Sequence, residues 1–167
     1  MFDRVVIGVD PGVAATGLAV VAGGPGGGAG VVSAGTVRTR AGLPEPERLR
    51  AVYRAVSEAV LEHRPEAVAV ERLLWGRNVG SAMGVARATG VVLLAAVEAG
   101  VGVFEYAPLE VKLAVTGNGA AGKREVRTAL ERIHGLADLP READAADAVA
   151  VAVCHLAQSR ALRTAAR

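Results

Sequence analysis

Apolar residues along this chain follow two rhythms. In the first, short Val- and Ala-rich runs are bounded by glycine, proline or charge: Arg4–Asp10 (RVVIGVD), Thr16–Ala22 (TGLAVVA), Val31–Val37 (VVSAGTV), Ala67–Glu71 (AVAVE) and Gly102–Tyr106 (GVFEY). Runs this short and β-branched predict buried strands. In the second, apolar positions recur every three or four residues. Leu49, Val52, Val56, Val60 and Leu61 mark a helix over Glu45–His63, with Pro44 and Pro46 at its start and Pro65 at its end. Further helices are predicted over Ser81–Ala99, Leu109–Val115, Lys123–His134 and from about Arg141 to Ala161. Pro11-Gly12 and the glycine-rich stretch Gly23–Gly30 separate the first three strands, which predicts an antiparallel meander. Helix and strand then alternate. The expected architecture is α/β, with a mixed five-stranded sheet flanked by helices and the fourth strand parallel to the first.

Composition sharpens this picture in a few places. A chain of 167 residues fits one domain, expected over 1–160, with 161–167 as a flexible basic tail. Half of the residues are apolar but only 3% are aromatic, so Ala, Val and Leu must fill the core. The longest apolar stretch, Val91–Val97, is too short to span a bilayer, and the N-terminus carries Asp3 and no secretory-type apolar region. A cytoplasmic protein without a membrane partner is expected. Cys154 is the single cysteine, so no intramolecular disulfide forms; its apolar setting predicts a small buried hydrophobe. The helix Ser81–Ala99 is apolar nearly all round, and Gly84 and Gly90 within it would allow close approach of another helix. That fits either a subunit interface or a buried central helix.

A net charge of +2 does not by itself mark a nucleic-acid binder. The basic residues are lopsided, however: all 19 are arginine except Lys112 and Lys123. Those two become candidates for places where a compact ammonium is wanted.

Four acids stand out by position. Asp10 ends the first strand and Glu71 the fourth. If those strands are adjacent and parallel, both side chains emerge at the edge where α/β folds place ligands. Asp144 and Asp147 lie one turn apart near the start of the last helix. Each has an ordinary reading too, as turn former, strand-end acid or first-turn helix charge. Asp147 sits at the edge of a strongly apolar run, where an unpaired carboxylate is costly. Four converging carboxylates are hard oxygen donors suited to Mg²⁺ or Mn²⁺, and two such ions can clamp a phosphodiester in line. His63, His134 and His155 lack ligand spacing and read as surface or interface residues.

The segments GVDPGVAATGLAV, VAVERLLWGRN, VKLAVTGNGAAGK and ADAADAVAVAVCH together resemble the successive motifs of the RuvC family of Holliday junction resolvases, in order, from about Val5 to His155. The resemblance implies a ribonuclease-H-like fold. It implies a homodimer that nicks a four-way DNA junction symmetrically, with two Mg²⁺ per active site for which Mn²⁺ can substitute. It matches Asp10, Glu71, Asp144 and Asp147 to the family's catalytic metal-binding acids. Lys112 and Lys123 match its DNA-contacting basic residues, with Lys123 also catalytic. It further implies association with the RuvA–RuvB branch-migration complex. The family often carries a stacking aromatic three residues after the strand-end Glu. Here that position is Leu74, followed by Trp75. Either Trp75 stacks with a one-residue shift or Leu74 acts as an apolar wedge; a base stacked on an aromatic is worth about 1–3 kcal/mol. Arg77 and Asn78 in the same segment are further candidate DNA contacts.

Other readings share parts of this pattern. Sugar kinases and actin-like ATPases also carry D-x-G…T-G after a strand, but need two lobes, and this chain has the length of one. A ribonuclease-H-like nuclease acting on RNA or RNA–DNA hybrid would use the same carboxylates. A non-catalytic junction binder would not need all four.

Overall fold

The computed structural model describes residues 4–24, 28–72 and 79–165. The elements run β1 (Arg4–Asp10), β2 (Ala15–Gly23), β3 (Ala29–Arg38), α1 (Glu45–His63), β4 (Ala67–Glu71), α2 (Val79–Glu98), β5 (Gly102–Tyr106), α3 (Pro108–Thr116), α4 (Lys123–Arg132) and α5 (Ala143–Ala165). The five strands form one sheet in the order β3-β2-β1-β4-β5. β1, β2 and β3 pair antiparallel, whereas β1–β4 and β4–β5 are parallel. The expected mixed sheet is therefore present, and so is the parallel pairing that Asp10 and Glu71 require.

Several boundaries depart from the sequence pattern. Gly23, Ala29 and Gly30 belong to strands rather than to the glycine-rich turn, because Gly23 pairs with Ala29 and Ala22 with Gly30 across the ladder. Cross-strand pairing overrides the weak strand preference of glycine. The backbone of α5 stays helical through Ala165, beyond the expected end at Ala161. No Gly or Pro interrupts the sequence there, and Ala, Leu and Arg are strong helix formers. Leu61 is 79% exposed; the buried stripe of α1 runs through Val52, Val56, Ala59 and Val60 instead.

The two-residue repeat of a strand sorts side chains onto two faces. Ile7 and Val9 of β1, with Val68 and Val70 of β4, face α1 and α2 and pack with Val52, Val56, Val92 and Ala96. Val6 of β1 and Ala69 of β4 face α5 and pack with Ala148, Val149 and Ala152. The same alternation puts Gly8, Asp10 and Glu71 on the α5 face. His155 is also part of this layer, buried within the chain rather than at the surface or an interface as expected. It is 4% exposed, its Nδ1 shares a 2.7 Å hydrogen bond with the Tyr106 hydroxyl, and its ring lies 4.5 Å from that of Phe104. Burial, and then the charge of Arg4, push its pKa down and favour the neutral ring. Cys154 is buried as expected; desolvation pushes its thiol up to about 12, which leaves it unreactive at neutral pH.

Two glycines set how closely α5 approaches the sheet. A Cβ at Gly17 of β2 would fall 1.9 Å from the carbonyl oxygen of Asp144, and one at Gly8 would fall 2.0 Å from that of Ala148. The obstacle at both places is helix backbone, which cannot swing aside. Gly17→Ala is therefore expected to destabilise the fold by about 1–3 kcal/mol. Gly35→Ala, in β3 with open space around it, should lie within about 0.5 kcal/mol of the parent. Urea denaturation of the two variants checks the contrast.

Candidate metal centre and nucleic-acid surface

The site is assembled at one end of the sheet. β1 and β4 are neighbours with Val9 aligned on Val70, so their terminal acids Asp10 and Glu71 emerge together. Across β1, Asp10 is paired with Gly17. That glycine touches the Asp144 backbone and brings the first turn of α5 over the strand ends. Asp144 and Asp147, one turn apart, are thereby directed toward the same place.

The loop after Asp10 is held by side chains that sequence reasoning passed over. Thr16 is fully buried; its hydroxyl donates to the Gly12 carbonyl at 2.6 Å and accepts from the Gly12 N–H at 3.3 Å. The Thr39 hydroxyl donates to the Val13 carbonyl at 2.5 Å and accepts from Arg48 Nε at 2.8 Å. The signal available for Thr16 was a threonine four residues beyond the turn glycine, within the segment DPGVAATG. For Thr39 and Arg48 no local signal exists, because their contacts join residues 26 and 9 positions apart.

Electrostatics separate these acids from ordinary surface carboxylates. Asp10 is pushed up to about 8, first by burial and then by the neighbouring charges of Glu71, Asp147 and Asp144, with a hydrogen bond to Glu71 acting in the same direction. Glu71 is also raised, again mainly by burial. Asp10 thus holds a proton that it shares with Glu71 when no cation compensates the cluster. The four acids are neighbours rather than a finished cage: among the described residues, no three His, Cys, Asp or Glu side chains are already closed around one point. The donor set is nonetheless all oxygen, and its crowded negative charge is the condition that a hard divalent cation relieves.

Both lysines act on this cluster, Lys123 by direct contact and Lys112 through its charge. Lys123 Nζ bonds Asp147 Oδ2 at 2.8 Å, and that contact holds its pKa above the usual lysine value. Lys112, half-buried on α3, and Lys123 both pull the Glu71 pKa down. The N-terminus of α4 is not a bare anion site, since Glu125 Oε2 accepts from the Gly122 N–H at 2.7 Å. Leu74, Trp75, Arg77 and Asn78 lie outside the described residues. His134 bonds the Val115 carbonyl at 3.0 Å and His63 lies beside Glu62, so neither joins the carboxylates.

Comparison with known proteins bears on the family of the whole chain. The family model described as crossover junction endodeoxyribonuclease RuvC matches residues 6–155. A protein of that name from Syntrophomonas wolfei is 45% identical over 151 residues, covering 90% of this chain and 87% of the relative. One from Saccharopolyspora erythraea is 48% identical over 151 residues, covering 90% of this chain and 76% of the relative. The solved structure of Thermus thermophilus RuvC in complex with Holliday junction substrate superposes with a TM-score of 0.89 at 40% identity, covering 95% of this chain and 96% of that one.

The raised pKa of Asp10 carries a pH signature. The folded chain keeps a proton at Asp10 that the unfolded chain releases, so without divalent cation stability is greatest below about pH 3.8 as far as this group is concerned and falls as pH rises toward 8. Added Mg²⁺ or Mn²⁺ should reverse the loss, raising the melting temperature by several degrees at pH 8 and by little at pH 5. Thermal melts across pH, with and without cation, check this. The effect should vanish in Asp10→Asn.

Proposed function

The chain belongs to the RuvC family of crossover junction endodeoxyribonucleases, with a ribonuclease-H-like fold, and from that premise we propose how its own residues carry out the cleavage. It is a DNA endonuclease that resolves Holliday junctions in recombination and repair. The observation that carries the reading of the site is the convergence of Asp10, Glu71, Asp144 and Asp147 on one face at the carboxyl ends of β1 and β4, with Lys123 bonded to Asp147.

Family nucleases of this kind depend on a metal. In our reading the four carboxylates hold two Mg²⁺ per active site, with Mn²⁺ able to substitute. Bound there, such ions lower the pKa of an attacking water and stabilise charge on the leaving oxygen. The chain's own groups do the rest. Asp10 and Glu71 would hold the cation as carboxylates, and the proton that Asp10 carries in the metal-free cluster would pass to solvent. Lys123 is held at the cluster by Asp147, where it can follow charge building on the phosphate. Lys112 adds positive charge on the same side. The loop between Asp10 and Thr16, braced through Gly12 and Val13, keeps the Asp10 carboxylate in place. The stacking or wedging role assigned to Leu74 or Trp75, and DNA contact by Arg77 and Asn78, rest on the family resemblance.

Symmetric nicking of a two-fold junction requires two sites related by a two-fold axis, hence a homodimer. Supporting this, α2 exposes a stripe of Met83 (44%), Ala86, Gly90, Leu94 (47%) and Val97 (65%), and nothing lies within 4 Å of a Cβ built at Gly90. Gly84 contributes differently from expectation: a Cβ there would stand 3.4 Å from Val13 of the same chain. Among the described residues no helix is long and apolar enough to cross a membrane. We place the protein in the cytoplasm, with the RuvA–RuvB branch-migration complex as partner on the strength of the resemblance.

Incubation with a mobile four-way junction, mapping nicks on every strand, tests the function. Paired nicks on opposite strands with Mg²⁺ or Mn²⁺, none with EDTA, and intact linear duplex and RNA–DNA hybrid are expected; cleavage of the hybrid in preference to the junction would overturn it. Asp10→Asn and Glu71→Gln should each lower single-turnover cleavage at least about a thousandfold, or roughly 4 kcal/mol of barrier, while junction affinity stays within a few-fold. Lys123→Ala should lower the cleavage rate far more than affinity. Sedimentation should give a dimer at micromolar concentration, and Leu94→Glu should shift it toward monomer.

A further inference from the structure

The segment that runs beside the loop after Asp10 carries its own positive charge. From Pro11 to Pro44 the sequence contains no acidic residue, and its two charged side chains are Arg38 and Arg40. Both are exposed, and neither forms an ion pair among the described residues. Backbone pairing fixes their place. Arg38 is aligned with Ala15, and the Thr39 N–H donates to the Ala14 carbonyl at 3.1 Å, so Arg38 and Arg40 flank the chain that follows Asp10. Asp10, Gly17 and Thr36 stand side by side across β1, β2 and β3. Two strand spacings and two residues further along put Arg38 roughly 12 Å from Asp10, backbone to backbone.

Arg48 completes the group. It sits in the first turn of α1, where the helix dipole disfavours a cation. Its Nε is committed to Thr39 at 2.8 Å, which orients the guanidinium beside the Arg38–Arg40 segment. The adjacent Glu45 is taken by Arg87, leaving Glu47 as the acid of that turn without an ion pair among the described residues. Three arginines against one carboxylate, beside a carboxylate cluster that handles phosphodiesters, form a surface that fits a polyanion.

We propose that Arg38, Arg40 and Arg48 form a phosphate-binding ledge for a duplex arm of the DNA substrate, flanking the phosphate that is cut. A distance of about 12 Å corresponds to three or four nucleotides of axial rise along one strand, so the ledge grips the arm and not the reacting group. Lys112 and Lys123 act at the carboxylate cluster itself, so the DNA is held at two separate places. Through Thr39 and Val13, a phosphate on Arg48 also bears on the loop that follows Asp10. The inference rests on the nuclease reading above only for the choice of DNA as polyanion.

Its test is binding of a labelled four-way junction in EDTA, measured against salt concentration, which needs no cleavage. Arg38→Ala/Arg40→Ala should flatten the slope of log affinity against log salt by about two units, and Arg48→Gln by about one, with unchanged melting temperature for the double variant. Arg48→Lys, which keeps the charge, should keep the parental slope. Parental slopes in the double variant and in Arg48→Gln would overturn the proposal. A parent protein that binds the junction but cuts none would instead remove the function proposed above, and the slopes would still decide this inference.

Discussion

The site depends on how closely α5 lies on the sheet. A helix that packs through ordinary side chains stands about 10 Å from a strand, too far for short aspartate side chains on its first turn to meet an aspartate at a strand end. Gly8 and Gly17 remove that spacing, since the helix carbonyls of Ala148 and Asp144 occupy the space their Cβ atoms would need. The apolar contacts of Ala145, Ala148 and Ala152, all fully buried, hold α5 in this position. Fold stability and the assembly of the carboxylate cluster are therefore the same contact viewed from two ends.

That arrangement forces negative charges together, and much of the local structure answers the strain. Asp10 retains a proton, Asp147 takes Lys123, and Lys112 and Lys123 both favour the ionised form of Glu71. In the reading proposed above, the residues that relieve repulsion in the free protein are also those that would meet a phosphate once cations are bound. On the other side of the loop, Thr16 and Thr39 fix Gly12 and Val13, so the turn that carries Asp10 out of β1 is braced from within the sheet and from α1. The carboxylate cluster thus sits beside a loop whose backbone is fixed by side chains of β2, α1 and the segment after β3.

Much of this was legible in the sequence because it is local. Strand and helix rhythms gave the element order, and strand-end acids with a pair of acids one turn apart located the cluster. Two lysines in an arginine-rich chain marked the cations that meet it. The less legible parts depend on contacts between distant residues. Gly8 and Gly17 read as ordinary strand glycines until α5 is laid on them, and His155 reads as polar until Tyr106 and Phe104 are brought against it. Leu61 fits the apolar rhythm of α1 but lies past the edge of what the sheet covers. The Arg48–Thr39–Val13 chain joins three separate elements, and no spacing rule encodes it.

The central claim is that close docking of α5 turns four separated acids into one cation site. Anomalous diffraction from crystals of the protein with Mn²⁺ and a four-way junction tests it most directly. The account predicts two anomalous peaks per protomer contacted by carboxylate oxygens of Asp10, Glu71, Asp144 and Asp147, with Lys123 moved from Asp147 toward the DNA. Peaks confined to the DNA or the protein surface, with the four acids still without a shared ion, would contradict it.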